Sequence, residues 1–131
     1  MRLFVVLLAV VYVSQASVAV DQKKVGERLE VDLGPKAKTW ERSTPKGDQI
    51  ARHCSLITNK ANCGKWTDKS GKVIAGAGTY KVTDDGKLVI AKVTKADAGT
   101  YSSPDVGPEI TKHSDGTISA TAAPIVVVEV V

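Results

Sequence analysis

The chain has 131 residues and a formal net charge of +4 at pH 7, from 18 lysines and arginines against 14 acidic residues. This length is about that of one domain, which excludes an assembly of several domains. The basic residues are scattered along the chain instead of forming a dense block, and this argues against a protein that binds nucleic acid.

The N-terminus has the layout of a secretory signal peptide. Arg2 supplies a positive start, residues 3–13 are almost wholly apolar, and small residues follow. The apolar run is shorter than the about 20 residues that a membrane-spanning helix needs, so we expect no stable membrane anchor. We predict a signal peptide over residues 1–19, cleaved after Ala16 or Ala19. The domain then covers residues 20–131, and the protein is secreted and extracellular.

The rest of the chain reads as short strands between turn signals, without a helical period. The pattern is clearest in Leu29–Leu33, where apolar and charged residues alternate. The predicted strands, in chain order, cover residues 29–33, 38–42, 49–54, 79–82, 88–90 and 125–131. Glycine, proline and aspartate mark the turns between them, at residues 34–35, 45–48, 68–71, 84–86 and 114–116. An all-β protein is therefore expected.

The two cysteines lie close together in the sequence, at Cys54 and Cys63. An even number of cysteines in an oxidising compartment favours one disulfide. Such a bridge would close a single loop and stabilise the fold by about 2–3 kcal/mol. A zinc site that includes His53 is the alternative, but it lacks a fourth ligand. We therefore expect a local disulfide and no bound metal.

Residues 86–101 form the most specific pattern of the chain, G-x-L-x-I-x-x-V-x-x-x-D-x-G-x-Y. This pattern resembles the segment that joins strands E and F of immunoglobulin-like domains. The resemblance implies that Leu88 and Ile90 share the core face of strand E. It also implies that Val93 fills the end of the sandwich where the chain turns.

The second half of the same pattern concerns the turn itself. By the resemblance, Asp97 holds the turn through hydrogen bonds or a salt bridge, and Gly99 lets it close tightly. Tyr101 then sends its hydroxyl back to the upstream backbone, an arrangement called a tyrosine corner. The implied fold is an immunoglobulin-like β-sandwich of two antiparallel sheets, of the I-set or V-like type. The layout is also similar to small secreted single-domain immunoglobulin-like proteins of invertebrates, nematodes among them.

Two alignments to this fold compete, because either tryptophan can be the core residue of strand C. In the first alignment Trp40 takes this place. In the second, Cys54 lies in strand B and Trp66 in strand C, and Arg52 would then point into the core. We prefer the first alignment because a buried unpaired arginine is costly. The second stays open as the alternative.

The chain departs from the family at the disulfide that normally joins the two sheets. Ser103 stands where the family has a cysteine, two residues after the corner tyrosine, and the partner position is Leu33. The sandwich is therefore expected to lack its inter-sheet disulfide. Pro104 and Pro108 remove ladder donors, so we also expect a short strand F followed by an irregular segment.

No motif in the sequence points to catalysis or to a cofactor. The two histidines, His53 and His113, are typical of surface residues, and the Asp84–Asp85 pair precedes a glycine as in a hairpin turn. We therefore expect neither an enzyme nor a bound cofactor.

A secreted, non-enzymatic recognition module that binds an extracellular protein is the function that these observations favour. The candidate contacts are Leu56 and Ile57 in the disulfide-closed loop, and Ile125 and Val127 on the outer face of strand G. An apolar outer face makes a homodimer through strand G one option. The alternative function is a secreted effector, meaning a protease inhibitor or a defence protein.

Overall fold

The computed structural model of the protein describes residues 18–131, and most of the predicted signal peptide lies outside this range. The described residues form strands and short 3₁₀ turns, and none of them lies in a helix that is long and apolar enough to cross a membrane. The strands are β1 (Val18–Lys23), β2 (Leu29–Val31), β3 (Thr39–Thr44), β4 (Gly47–Arg52), β5 (Lys81–Val82), β6 (Leu88–Ile90), β7 (Gly99–Ser102), β8 (Glu109–Lys112), β9 (Ile118–Thr121) and β10 (Ile125–Val130). The 3₁₀ turns are Cys54–Leu56, Lys60–Asn62 and Lys95–Asp97.

Two sheets form an immunoglobulin-like β-sandwich. The larger has the order β1-β10-β7-β3-β4 and the smaller the order β2-β6-β5. In the lettering of this fold, β2, β3, β6, β7 and β10 are strands B, C, E, F and G. The predicted all-β sandwich is therefore confirmed. Two details differ from the expectation of two purely antiparallel sheets: β1 pairs with β10 in parallel, and β8 and β9 form a separate hairpin.

The core lies between the two sheets and follows from the alternation of each strand. In β2, Leu29 and Val31 are buried while the residue between them is exposed. In β10, Val126 and Val128 point inward in the same way. One continuous cluster of buried apolar residues from both sheets results, and it includes the two tryptophans, neither of which is exposed to solvent.

Five of the six predicted strands differ from the observed ones in at least one boundary, and β2 and β4 each end two residues earlier than predicted. Strand β2 ends at Val31 instead of Leu33, because the chain turns where the Asp32 carboxylate accepts a hydrogen bond from the Gly34 amide (2.9 Å). Leu33 is half-buried and packs against the core from outside the strand. Strand β4 ends at Arg52, so Cys54 lies in a 3₁₀ turn.

Candidate functional site

The turn between β6 and β7 is held by one tyrosine and one aspartate. The hydroxyl of Tyr101 donates to the backbone carbonyl of Asp97 (2.5 Å). The Asp97 carboxylate accepts from the Thr94 amide (2.8 Å). Gly99 is needed because a Cβ there would lie 2.3 Å from the carbonyl oxygen of Ser43. Val93 is fully buried at this end of the sandwich.

A fully buried arginine, which the sequence did not predict, lies behind this turn. The guanidinium of Arg42 donates to the carboxylate of Asp97 (2.7 Å), the hydroxyl of Tyr101 (2.9 Å), the side-chain oxygen of Gln49 (2.7 Å) and the carbonyl of Ala77 (3.0 Å). Four hydrogen bonds and one carboxylate offset the cost of burying the charge.

Two aromatic rings border the same arginine. Its guanidinium lies 3.7 Å from the centre of the Trp66 ring, within the range of a cation–π interaction. Burial raises the pKa of Tyr101 to about 12, against a smaller opposing effect from the charge of Arg42. This cluster stabilises the core. Because it is buried, it presents no reactive group to a substrate.

The two tryptophans occupy different positions in the sandwich. Trp40 lies in β3, the strand C position beside β7, and its indole nitrogen donates to the Ala37 carbonyl (3.1 Å). Trp66 lies outside the named strands. Its indole nitrogen is the one buried side-chain polar atom without a hydrogen-bond partner among residues 18–131. Arg52, which the alternative alignment would bury, is exposed.

Ser103, which stands at the position of the missing inter-sheet cysteine, forms hydrogen bonds to the backbone within the larger sheet. Its hydroxyl donates to the Thr39 carbonyl (2.6 Å) and accepts from the Asp105 amide (3.2 Å). The Asp105 carboxylate in turn accepts from the amides of Lys38 and Thr39 (3.0 and 2.8 Å). The chain after β7 is thereby fastened to the start of β3.

The disulfide links Cys54 to Cys63, with their Cα atoms 5.3 Å apart. The loop that it closes places Leu56 and Ile57 beside a cleft of about 180 Å³, whose other walls include Arg52 and Tyr80. Leu56 is 54% exposed. The candidate contact loop is therefore accessible to a partner at Leu56.

One constellation beside this loop has the residue types of a hydrolase triad. His53 lies 2.7 Å from the Ser55 hydroxyl and 2.7 Å from the Asp84 carboxylate. The same ring nitrogen that faces the hydroxyl also accepts from the Ser55 amide (3.2 Å), so the histidine caps the turn. Asp84 is fully exposed, and water therefore weakens its influence on the ring. Among residues 18–131, no cluster of histidine, cysteine and carboxylate side chains could hold a metal ion.

An apolar stripe runs along the outer face of the larger sheet. Residues paired in register point to the same face, and the parallel pairing of β1 with β10 sets Val18 beside Ile125 and Val20 beside Val127. Val18 and Val20 are 64% and 63% exposed. These four residues are called the outer stripe. The sequence pointed to its β10 half. The β1 half was not predicted, because Val18 lies within the predicted signal peptide and Val20 directly after it.

The hairpin of β8 and β9 carries two further exposed apolar side chains. Ile110 and Ile118 lie on the same face of the hairpin and are 67% and 64% exposed. An isolated two-stranded hairpin is only marginally stable in water. The segment around Asp105, which precedes the hairpin, holds it to the sandwich. The hairpin therefore extends the sandwich at the end where β7 finishes.

The comparisons with known proteins concern the fold only. No protein-family model matches the chain, and no curated protein matches it. The extracellular fragment of novel immune-type receptor 11 from Ictalurus punctatus, with its stalk region, is 16% identical over 88% of this chain and 86% of that chain (TM-score 0.49). The fragment of receptor 10 from the same organism is 16% identical over 86% of this chain and 97% of that chain (TM-score 0.48). Similarity this distant carries no functional inference.

Proposed function

We propose that the protein is a secreted, non-enzymatic recognition module that binds an extracellular protein through the outer stripe. The observation that carries this proposal is the pair of valines, Val18 and Val20, left about two-thirds exposed on a sheet edge. Single exposed aliphatic residues are ordinary on protein surfaces. A contiguous group on one face is typical of a binding surface.

The edge itself adds to the case for a partner. Among residues 18–131, strand β1 pairs with β10 on one side only, and the peptide groups on the other side of such an edge can bind a strand of another protein. The margin next to the stripe is polar: Thr100 pairs with Val127, and Gln22 donates to Glu129 (3.2 Å). An apolar centre with a polar margin is the usual anatomy of a protein interface.

The charge of the chain favours a different protein over a second copy as the partner. Removal of Arg2 with the predicted signal peptide leaves 17 basic against 14 acidic residues, a formal net charge of +3, so two copies of the secreted protein repel each other. We therefore infer a neutral or acidic extracellular partner that presents an apolar strand or sheet edge. Self-association through strand G is the competing outcome, and the same experiment distinguishes it.

The test uses the secreted, oxidised protein as bait for extracellular proteins of its own source. The variants are Val20→Lys and Val127→Lys in the outer stripe. The matched control is Thr79→Lys, which adds the same charge at an exposed position on another part of the surface. We expect a partner that binds the parent and the control equally and binds either stripe variant at least about tenfold more weakly, as the loss of interface anchors implies.

Two other results would change the proposal. A parent that is dimeric by light scattering, with a monomeric Val20→Lys variant, would make the partner a second copy. A partner retained by both stripe variants but lost on Leu56→Ser would move the contact to the disulfide-closed loop. A protease panel with that same variant then tests the inhibitor alternative, for which the exposure of Leu56 is the favouring observation.

A further inference from the structure

A second cleft lies at the opposite end of the sandwich from the β8–β9 hairpin. It opens between the β3–β4 hairpin, the turn before β7 and the segment that precedes Ala77, and its volume is about 280 Å³. This volume corresponds to roughly nine water molecules at about 30 Å³ each. The walls are mostly apolar and include Pro45, Ile74, Ala75 and Ala96. The cleft can therefore hold the body of a small apolar molecule.

A side chain with a hydrogen-bond donor, Gln49, lines this cleft. Gln49 is only 4% exposed, and its side-chain oxygen is committed to the guanidinium of Arg42 (2.7 Å). Because one end of the amide is fixed in this way, its nitrogen can donate to a molecule in the cleft, whose wall Gln49 forms in part. The nitrogen is not enclosed, since the one fully buried side-chain polar atom without a partner among residues 18–131 is Trp66 Nε1. A donor that is held in place at a cleft can fix the orientation of a ligand through an acceptor atom.

Two lysines add positive charge at the same cleft. Lys46 and Lys95 both line it, and neither forms an ion pair within the described part of the chain. Asp97 lies close by in the sequence, but its carboxylate is paired with Arg42. The uncompensated charge here is therefore positive.

We propose that this cleft binds a small carboxylic acid with a short apolar chain. The carboxylate accepts a hydrogen bond from the amide nitrogen of Gln49, and Lys46 and Lys95 supply the opposite charge. The apolar chain lies against Ile74 and Ala75. The site is separate from the outer stripe, so it does not depend on the proposed protein partner.

The experiment is a titration of the isotope-labelled, oxidised protein followed by amide NMR signals. Hexanoate is the probe, and hexanol and hexylammonium are its neutral and cationic counterparts. We expect saturable shifts of the Gln49 side-chain amide and of the backbone amides of residues 75–77 with hexanoate. We expect at least about fivefold weaker binding of hexanol and no saturable binding of hexylammonium, because charge-assisted hydrogen bonds are the stronger ones.

Variants distinguish the contribution of the lysine charges to binding from that of the apolar walls. The double variant Lys46→Gln/Lys95→Gln should reduce the affinity for hexanoate to that for hexanol, while Lys81→Gln, an exposed lysine of β5, should leave it unchanged. Gln49→Glu keeps an acceptor for Arg42 but replaces the free donor with a negative charge, and we expect at least tenfold weaker binding. If that variant unfolds, the lysine variants decide alone, since both lysines are exposed.

Three results would overturn the proposal. The first is the absence of saturable shifts with hexanoate. The second is equal affinity for all three probes, which would make the cleft a plain apolar crevice. The third is unchanged hexanoate affinity in the double lysine variant.

Discussion

The guanidinium of Arg42 lies 2.7 Å from the carboxylate of Asp97, and both side chains are almost completely shielded from water. The two residues are 55 positions apart, one in β3 and the other in the turn before β7. Their ion pair therefore fastens the turn to the centre of the larger sheet. This noncovalent contact joins two segments that are distant in the sequence, β3 and the turn before β7. It does so in a domain that lacks an inter-sheet disulfide.

Removal of Arg42 should be among the most destabilising single changes in the core. Arg42→Met leaves the Asp97 carboxylate buried without its cation, and breaking a buried pair from one side costs about 3–5 kcal/mol. We expect the double variant Arg42→Met/Asp97→Asn to lose less than the sum of the two single losses, because no unpaired charge remains. Urea unfolding of the four proteins gives the coupling energy.

The control for this cycle is an exposed ion pair in the same protein. Arg28 lies 3.5 Å from Glu30 on the surface, and such pairs contribute about 0–1 kcal/mol. Arg28→Met should therefore be nearly neutral. Equal losses for Arg42→Met and Arg28→Met would contradict the stabilising role given to the buried pair.

Tyr101 predicts a loss of stability in alkaline solution. Its pKa is raised by burial from 10.0 to about 12, so between these values the folded protein retains a proton that the unfolded chain has released. The folded state binds more protons, and stability therefore falls as the pH rises through this window, by about 2–3 kcal/mol in total. Denaturant unfolding at about pH 9, 10, 11 and 12 measures the decline.

Tyr101→Phe separates this effect from other alkaline titrations. At neutral pH the variant loses the hydroxyl that donates to the Asp97 carbonyl and accepts from Arg42, at a cost of about 1–3 kcal/mol. Above pH 10 it should lose less stability than the parent, because it has no hydroxyl to ionise at this position. A parallel decline in both proteins would show that Tyr101 does not titrate in the expected range.

Replacement by phenylalanine should reduce the stability of the protein to a different extent at the two tryptophans. Both are fully buried, so Trp40→Ala and Trp66→Ala should each cost about 3–5 kcal/mol. In Trp40→Phe the carbonyl of Ala37 also loses its donor, whereas the indole nitrogen of Trp66 has no partner to lose. We expect Trp40→Phe to be more destabilising than Trp66→Phe by roughly 1 kcal/mol. Thermal and urea unfolding test this order, and a reversed order would contradict it.

The sequence predicted the sandwich because its strongest pattern is local. In residues 86–101, alternation places Leu88 and Ile90 on one face of a strand. The glycine and the tyrosine that follow at this spacing are typical of the turn between strands E and F. These features depend on neighbours within the same segment, which a single sequence displays.

The features that the sequence missed depend on distant partners. Alternation from Trp40 points Arg42 inward, but its partner Asp97 is far away in the sequence, so nothing local indicates that a buried charge there would be paired. The cost of a buried charge was considered for Arg52 alone, to disfavour the alternative alignment, although the preferred alignment buries an arginine as well. The β1 half of the outer stripe was hidden for another reason: an apolar run at the N-terminus fits both a leader and a strand.

The disulfide should stabilise the fold without being required for it. Neither Cys54 nor Cys63 belongs to the buried apolar cluster, and the bridge closes a short loop. Cys54→Ser/Cys63→Ser should therefore cost about 2–3 kcal/mol and leave the β-sheet spectrum intact. Urea unfolding of the variant and of the reduced parent should agree. Complete unfolding of either one at neutral pH would mean that the loop supports the core.

The N-terminal residue of the secreted protein tests the boundary between leader and domain. Cleavage after Ala16 leaves all six residues of β1, whereas cleavage after Ala19 removes Val18 and Ala19, which pair with Ile125 and Val126. We therefore expect the mature chain to begin at Ser17, which the intact mass of the secreted protein would show. A recombinant chain that begins at Val20 should be less stable by about 1–2 kcal/mol, through lost ladder hydrogen bonds. Equal stability of the two chains would mean that these residues are dispensable, and the predicted boundary at residue 20 would then be the better one.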